Sequence, residues 1–265
     1  MPVERVRLDE MLLRLELARS KNQARGFIMA GLVTVDGKMV DKAGTSVRID
    51  SSVAVKPTSR FVSRGGQKLA GALESFALSV RDKSALDVGA STGGFVDCLL
   101  QSGASQVIAL DVGRGQLDAK LRADARVHVI EGVNARFLSA EQLPFRANLL
   151  TMDVSFISVT KVLPAVVASL DNVFDGLILV KPQFEAGPKE VGRKGVVRDE
   201  SIHKRVLLQI ATFVAGGLGL EVLGACRSGL PGVAGNLEFF LHIGRGREKA
   251  VRLDRLEKLV EECVR

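Results

Sequence analysis

The sequence predicts a doubly wound α/β sheet preceded by a small α+β domain. Two observations favour this fold class. From residue 84 onward, short apolar runs alternate with helical stretches, which is the pattern of parallel strands joined by helices. The charge is also unevenly divided: residues 1–64 hold 12 Lys+Arg against 7 Asp+Glu, whereas the remaining 201 residues hold 25 against 23. A basic segment ahead of a nearly neutral body indicates an anion-binding domain joined to a second domain.

The composition of the 265 residues excludes several classes of protein. With 46% hydrophobic and 25% charged residues, the chain has the composition of a globular protein. No run approaches the roughly 18 apolar residues of a membrane span, and the first seven residues lack the apolar core of a signal peptide. Three cysteines (Cys98, Cys226 and Cys263) have no metal-ligand spacing, so we expect reduced thiols in the cytoplasm and no bound metal.

Residues 1–57 are predicted to form the small domain from two helices and several short strands. A first helix is predicted over residues 8–19 by a stripe of apolar residues at helical spacing, which are Leu8, Met11, Leu12 and Leu15. Ser20, with Gln23 three residues later, is a capping-box start and predicts a second helix running to residue 30. Asp36-Gly37 then predicts a tight hairpin turn between short strands.

Several tracts of this segment are similar to the S4-type RNA-binding domain. They are Arg7-Leu8-Asp9, Ser20-Lys21-x-Gln23-Ala24 and Gly31-x-Val33-x-Val35-Asp36-Gly37. That family places Arg7 and the start of the second helix against the RNA backbone, and a helix N-terminus with basic and amide side chains suits a phosphate. The alternative is that these side chains are solvated and only cap the helices. The resemblance implies RNA contacts by Arg5, Arg7, Ser20, Lys21, Asn22, Gln23 and Arg25.

A linker is predicted over residues 58–64 and a large domain over residues 65–265. Five buried strands with helices between most of them predict the doubly wound sheet; they cover residues 85–88, 106–110, 127–130, 149–154 and 177–180. An antiparallel strand pair and a terminal amphipathic helix complete the domain, at residues 220–225, 237–243 and 250–264.

A glycine-rich turn follows the first strand of the large domain and opens a helix, in the tract Asp87-Val88-Gly89-Ala90-Ser91-Thr92-Gly93-Gly94-Phe95. Glycines let the backbone approach a ligand closely. Asp111 lies 22 residues after Gly89 at the end of the second strand, where a carboxylate can accept hydrogen bonds from ribose hydroxyls. The dinucleotide pattern G-x-G-x-x-G and the P-loop pattern are both absent. These features predict an adenosine-containing ligand.

The same tract resembles motif I of S-adenosylmethionine-dependent methyltransferases of the FtsJ type. The resemblance implies a Rossmann-like methyltransferase sheet, in which a final antiparallel pair is usual. It also implies S-adenosyl-L-methionine as the cofactor, which has a ribose but no phosphates and needs no phosphate-binding lysine. The residues that it assigns to the cofactor are Asp87, Gly89, Ser91, Thr92, Gly93, Gly94, Phe95 and Asp111.

Four charged residues stand where an apolar element begins or ends. Lys68 lies on a predicted helix before the first strand, Asp153 and Lys181 end the fourth and fifth strands, and Glu238 opens the last strand. Because ligands bind beyond the carboxyl ends of parallel strands, we expect Asp153 and Lys181 to face the cofactor cleft. Lysine and aspartate are rarely buried unless they are paired. The alternative is two structural ion pairs at strand ends.

The order Lys68, Asp153, Lys181, Glu238 resembles the tetrad of ribose 2′-O-methyltransferases. A ribose hydroxyl is a poor nucleophile and must lose its proton as it attacks the methyl group. A lysine side chain ordinarily has a pKa of about 10.4; desolvation or a second cation lowers that pKa, and a carboxylate raises it while fixing the orientation. The resemblance implies that Lys181 deprotonates or steers the hydroxyl, that Asp153 orients Lys181, and that Lys68 and Glu238 position the target ribose.

The whole chain resembles the TlyA (hemolysin A) family of ribosomal RNA methyltransferases. The likeness rests on four tracts, Arg64-Gly65-Gly66-Gln67-Lys68-Leu69, Asp153-Val154-Ser155-Phe156-Ile157-Ser158, Lys181-Pro182-Gln183-Phe184-Glu185-Ala186-Gly187 and Lys194-Gly195-Val196-Val197-Arg198-Asp199. It implies methylation of a cytidine 2′-hydroxyl in 23S rRNA, and also in 16S rRNA, within 50S and 30S subunits, by a monomer in the cytoplasm. The linker residue Phe61 departs from the family, which often has another aromatic residue there.

Two further expectations concern RNA near the reaction centre. Basic residues of the loop after Lys181, together with Arg64, are expected to contact the RNA backbone; they are Lys189, Arg193, Lys194 and Arg198. Because the chain has no Tyr or Trp, a flipped cytosine would stack on a phenylalanine, and Phe156 and Phe184 are the candidates. The alternatives are a solvated loop and phenylalanines that belong to the core.

Three other functions stay open on the sequence. The family name suggests a membrane-active hemolysin. A non-catalytic RNA-binding assembly factor would keep the fold without needing Lys181 or Asp153. A base methyltransferase often has an Asn/Asp-Pro-Pro-aromatic tract or a catalytic cysteine, whereas this chain has Lys181-Pro182-Gln183-Phe184 in that place.

Overall fold

The chain folds as two compact units, Met1–Ser59 and Arg60–Arg265. The computed structural model describes residues 4–18, 20–29, 31–56, 60–192, 195–247 and 250–264. Within these ranges, no helix has both the length and the apolar character required to cross a membrane.

The described part of the small unit contains two helices and five short strands: β1 (Arg5–Arg7), α1 (Leu8–Arg14), α2 (Lys21–Met29), β2 (Val33–Val35), β3 (Lys38–Met39), β4 (Ser46–Arg48) and β5 (Val53–Val55). β1 pairs with β4, and β2 pairs with both β3 and β5, all antiparallel. Leu8 and Leu12 of α1 and Ala24 and Ile28 of α2 are fully buried. The two helices therefore pack together through their apolar faces.

The first helix is shorter than the sequence predicts. α1 ends at Arg14. The backbone of Glu16 adopts a left-handed conformation with φ 56°, and a right-handed α-helix cannot continue through such a residue. As a result Leu15, expected on the buried stripe, has 44% of its surface exposed. The start of α2 agrees with the prediction, because the Ser20 hydroxyl accepts a hydrogen bond from the Gln23 N–H at 3.2 Å.

The described part of the large unit contains seven helices and seven strands: α3 (Arg64–Ser75), β6 (Ser84–Val88), α4 (Gly94–Gln101), β7 (Gln106–Asp111), α5 (Ala119–Arg122), β8 (Val127–Glu131), β9 (Leu149–Met152), α6 (Val159–Ala168), β10 (Phe174–Val180), α7 (Pro182–Glu185), α8 (Glu200–Thr212), β11 (Glu221–Arg227), β12 (Phe239–Arg245) and α9 (Leu256–Val264). The strands form one sheet in the order β11-β12-β10-β9-β6-β7-β8. β12 is antiparallel to both of its neighbours, and the other pairs are parallel. The predicted fold class is confirmed.

Two strand boundaries differ from the prediction at residues of the predicted tetrad. β9 ends at Met152, so Asp153 lies just beyond the strand, although its N–H still donates to Val88 O at 2.9 Å. β12 begins at Phe239, so Glu238 precedes this strand instead of opening it. Asp153 and Glu238 therefore lie just outside the hydrogen-bonded strands, where their side chains can reach a cleft.

Three neighbouring strands at the centre of the sheet bring together the segments that follow them. β6, β9 and β10 are adjacent and parallel, so their carboxyl ends lie at the same edge of the sheet. β10 is buried along its whole length, as expected of a strand covered on both faces. Gly89, Asp153 and Lys181 directly follow these three strands. This edge is where an open α/β sheet binds its ligand.

Helix α3 begins in very close contact with the start of α4. A Cβ atom on Gly66 would lie 2.4 Å from Phe61 Cβ and 2.8 Å from Gly94 O, and a Cβ atom on Gly94 would lie 2.1 Å from Ser63 Oγ. Only glycine permits both approaches. They hold the first turns of α3, which carry Lys68, beside the glycine-rich turn that precedes α4.

Candidate active site

A cleft of about 390 Å³, here called the lysine cleft, lies at the carboxyl edge of the central strands. All four residues of the predicted tetrad line it, together with Asp87, most of the glycine-rich turn and Arg64. The tetrad residues come from α3, from the ends of β9 and β10 and from the segment before β12, so parts of the chain that are 170 residues apart meet here.

Lys68 and Glu238 form the first ion pair of the cleft. The Nζ of Lys68 lies 2.5 Å from Oε2 of Glu238, and their side chains expose only 10% and 3% of their surface. The glycine at position 232 leaves room for this carboxylate, since a Cβ there would lie 2.0 Å from Glu238 Oε1. A pair buried to this extent is held in one geometry, because either charge alone would be costly to bury.

Lys181 and Asp153 form the second ion pair. The Nζ of Lys181 lies 2.5 Å from Oδ1 of Asp153 and donates a hydrogen bond to the Ser155 hydroxyl at 2.8 Å. Its ammonium also lies 5.8 Å from the ring centroid of Phe184, within cation–π distance. The Lys181 side chain is 11% exposed and that of Asp153 is 23% exposed, so this pair is more open to solvent than the first.

The glycine-rich turn passes directly under Asp153. Gly89 has φ 86°, and a Cβ there would lie 2.4 Å from Asp153 O, so any side chain would push the two turns apart. The N–H groups of Gly89 and Ala90 both donate to Leu110 O, which ties the turn to β7. Gly93 also has a positive φ and would contact Leu121 through a Cβ. Gly93 shapes the turn but does not line the cleft.

Asp87 is a buried acid with an unusual proton affinity. Its Oδ1 accepts a hydrogen bond from the Thr151 hydroxyl at 2.7 Å, whereas its Oδ2 has no hydrogen-bond partner among the described residues. Burial is the main cause that raises the pKa of the Asp87 carboxyl to about 7; the Thr151 hydrogen bond opposes this shift, and the nearby charges of Asp153 and Asp111 add to it. A carboxylate with a free oxygen in a cleft is suited to bind a cationic group.

A second cavity of about 350 Å³, here called the Asp111 cavity, adjoins the lysine cleft and shares Gly89, Ser91 and Asp153 with it. Both oxygens of the Asp111 carboxylate accept backbone hydrogen bonds, from Ser91 N at 2.8 Å and from Gly113 N at 2.6 Å. Several other lining residues were not predicted from the sequence, among them Val112, Val133 and Asn134. They follow β7 and β8, but a valine after a strand is equally common in a packed core.

The remaining candidates of the glycine-rich turn border the lysine cleft. Thr92, Gly94 and Phe95 line the lysine cleft. Phe95 is almost fully buried, and its ring centroid is 6.0 Å from that of Phe240, so it packs the cleft wall. Within the described residues, no group of three acidic, histidine or cysteine side chains is arranged to hold a metal ion.

Two of the RNA candidates in the small unit share a buried carboxylate. Asp9 is fully buried, with Arg7 at 3.0 Å and Arg25 at 3.3 Å, and both arginines stay about half exposed. The hydrogen bonds of Arg7 hold the pKa of the Asp9 carboxyl down, at about 2. The buried Asp9 therefore orders both guanidinium groups, and both remain accessible to solvent.

The other RNA candidates are exposed at several places. In the small unit, Lys21 lies 3.6 Å from Glu10, Arg5 donates to Ser46 O at 2.6 Å, and Ser20, Asn22 and Gln23 begin α2 on its exposed side. In the large unit, Arg64 donates to Pro231 O at 2.9 Å beside the lysine cleft. Lys189 and Arg198 are exposed, while Arg193 and Lys194 lie outside the described residues.

The loop between α7 and α8 is fastened at its C-terminal end. Asn236 is buried; its Oδ1 accepts from Val197 N at 3.1 Å and its Nδ2 donates to Gly195 O at 2.9 Å. The ring of the buried His203 contacts Val197 O at 3.1 Å. The exposed Arg198 therefore projects from an ordered backbone close in sequence to these anchors.

Comparisons with known proteins agree with the fold and show the family. Residues 61–245 match the FtsJ-like methyltransferase family, and residues 6–53 match the S4 domain. The glycine turn, the sheet order and the paired lysines thus define a methyltransferase of the FtsJ-like class that carries an S4 domain.

Three relatives narrow this class. The 16S/23S rRNA (cytidine-2′-O)-methyltransferase TlyA of Mycobacterium tuberculosis is 44% identical over 98% of this chain and 97% of its own length. The 23S rRNA (cytidine-2′-O)-methyltransferase TlyA of Campylobacter jejuni is 35% identical over 69% of this chain and 70% of its own. A solved structure, described as a hemolysin from Streptococcus thermophilus, is 37% identical with a TM-score of 0.74 and covers 99% of this chain and 96% of its own. The chain belongs to the TlyA family.

The proton affinity of Asp87 predicts how stability depends on pH. Because the pKa is about 7 in the folded chain and 3.8 in the reference state, folding takes up a proton between these values, and Asp87 lowers stability as the pH rises through this range. Asp87→Asn keeps the Thr151 hydrogen bond without the charge. We expect the free energy of unfolding of this variant, relative to the wild type, to rise by about 2 kcal/mol from pH 5 to pH 8.

Urea denaturation at a series of pH values measures this difference. A difference between Asp87→Asn and the wild type that stays constant from pH 5 to pH 8 would show that Asp87 is ionised throughout.

Proposed function

We propose that this protein transfers the methyl group of S-adenosyl-L-methionine to the 2′-hydroxyl of a cytidine in ribosomal RNA. The observation that carries the proposal is the placement of two lysine–carboxylate pairs in one cleft beside a glycine-rich turn. We place the reaction on 23S rRNA in 50S subunits, and also on 16S rRNA in 30S subunits, by a monomer in the cytoplasm.

The lysine cleft and the Asp111 cavity together suit the two ends of the cofactor. Asp111 and Asn134 offer polar groups, and Val112 and Val133 offer apolar surface, for an adenosine in the Asp111 cavity. The free, buried Oδ2 of Asp87 is suited to the ammonium of a methionine group in the lysine cleft. When bound, the cofactor supplies an electrophilic methyl group on a sulfonium. The shared residues Gly89, Ser91 and Asp153 line the space between the two ends.

The two ion pairs divide the work on the substrate. Lys181 accepts or steers the proton of the target 2′-hydroxyl, and Asp153 fixes the direction of its amine. Lys68 and Glu238, which are more deeply buried, line the same cleft and position the ribose. If any one of the four residues were missing, its partner's charge would stay buried without compensation. The two lysines are therefore each matched by a carboxylate.

Phe156 is the stronger candidate for stacking on the flipped base. It is 91% exposed although it is a large apolar side chain, and its ring centroid is 5.0 Å from that of Phe184. Phe184 in turn lies against Lys181. An exposed aromatic ring that packs on the neighbour of the proposed base offers a platform for a cytosine.

In this proposal the small unit, residues 1–57, binds the RNA backbone through its positively charged side chains. The half-exposed Arg7 and Arg25, ordered by Asp9, form a rigid basic surface beside the start of α2. Backbone phosphates bind such surfaces without regard to sequence, so the unit would give affinity and the large unit would give the choice of nucleotide.

The direct test is transfer of labelled methyl from S-adenosylmethionine to isolated 30S and 50S subunits, followed by digestion to nucleosides. We expect label in 2′-O-methylcytidine, because the tetrad residues act on a ribose hydroxyl. Label in a methylated base would contradict the proposal, as would membrane lysis by the purified protein with no label in either subunit. Label in 50S subunits alone would remove the 16S part of the proposal.

A single charge in the small unit tests the docking surface. Lys21→Gln removes an exposed lysine whose surface pair with Glu10 contributes little to stability. We expect weaker binding to ribosomal RNA, and a slope of log affinity against log salt that is smaller in magnitude by about 1. Titrations at several salt concentrations measure the slope.

Lys258→Gln is the matched control, because Lys258 is also exposed and lies 3.8 Å from a surface glutamate on α9. The control is expected to keep the wild-type slope. An equal change in both variants would contradict a specific docking role for Lys21.

A further inference from the structure

Ser155 lies in the turn after β9 and contacts the proposed base. The Nζ of Lys181 donates to Ser155 Oγ at 2.8 Å while it pairs with Asp153 Oδ1 at 2.5 Å. Asp153 and Ser155 alternate along the same turn, so both oxygens reach the same nitrogen. Ser155 lines the Asp111 cavity and Lys181 lines the lysine cleft, which places this hydrogen bond at the boundary between them.

The hydrogen bond to Ser155 restricts how the amine of Lys181 can be oriented. A lysine amine that is ready to accept a proton has two N–H groups and one lone pair, arranged tetrahedrally. Ser155 accepts a hydrogen bond from one N–H group, and the carboxylate of Asp153 holds the nitrogen by ion-pair contact on a second side. With one N–H group bound by Ser155 and the nitrogen held against Asp153, the lone pair has one favoured direction. With only Asp153 present, the amine could rotate about its Cε–Nζ bond and turn the lone pair away from the substrate.

We propose that Ser155 is a positioning residue that, together with Asp153, directs the lone pair of Lys181 toward the target hydroxyl. This inference rests on the proposed function and adds a residue to its mechanism. In the reaction, the ribose O2′ forms a bond to the methyl carbon, the methyl–sulfur bond of the cofactor breaks, and the O2′ proton moves to Nζ. Lys181 ends as an ammonium with three N–H groups, and it returns the proton to solvent.

The backbone next to Ser155 holds this arrangement. Phe156 has φ 63°, a left-handed conformation that a non-glycine residue adopts only when its surroundings impose it. Its ring packs on Phe184, which follows Lys181 by three residues. The turn that carries Ser155 is therefore connected by a side-chain contact to the segment that carries Lys181.

Ser155→Ala tests the inference in the full chain, with 50S subunits as substrate under saturating cofactor. Loss of one acceptor leaves the amine able to rotate, so we expect kcat to fall about 10- to 100-fold. The KM for the subunits and the Kd of the cofactor are expected to stay at wild-type values, because Ser155 acts through Lys181. Ser155→Thr keeps the hydroxyl and should restore most of kcat.

Ser105→Ala is the matched control, since Ser105 is an exposed serine just before β7, at the edge of the sheet opposite the cleft. It should keep wild-type kcat. The inference is overturned if Ser155→Ala keeps wild-type kcat, if Ser155→Thr rescues nothing, or if the loss falls on KM or on cofactor affinity, which would make Ser155 a direct ligand. A wild-type protein that methylates no ribose would instead overturn the proposed function.

Discussion

The structure depends most on the cost of keeping four charges out of water at one edge of a sheet. Lys68 and Glu238 are nearly inaccessible, and Lys181 with Asp153 are only partly accessible. Removing one member of a buried pair typically costs about 3–5 kcal/mol, because its partner is left uncompensated. Each lysine is therefore fixed by its carboxylate, and the geometry of the site follows from charge pairing before any substrate arrives.

The fold satisfies this constraint through close backbone approach. Gly89 lets the turn after β6 pass within contact distance of Asp153 O, and Gly66 lets α3 start against α4. The first approach brings the glycine-rich turn to the Lys181 pair, and the second brings Lys68 to the same cleft. Side chains at either glycine would separate parts of the chain that the pairs require to be adjacent.

The charged residues that line the cleft could be predicted from the sequence, whereas much of the apolar lining beside it could not. Asp153 and Lys181 could be predicted because a charge that directly follows a buried strand has few structural explanations. Val112 and Val133 could not, because valine after a strand looks the same whether it lines a cavity or packs a core. The predicted length of α1 was wrong for a similar reason. Leu15 fits the helical stripe in the sequence, but the left-handed backbone of Glu16 ends the helix before it.

The central claim is that Lys181 carries the proton transfer and does not merely pair with Asp153. Single-turnover methyl transfer by Lys181→Met tests it, with cofactor and RNA affinities measured on the same preparation. The account predicts a rate at least about 100-fold below that of the wild type, with both affinities retained. A variant that transfers methyl at the wild-type rate would contradict the account and leave the two ion pairs as purely structural features.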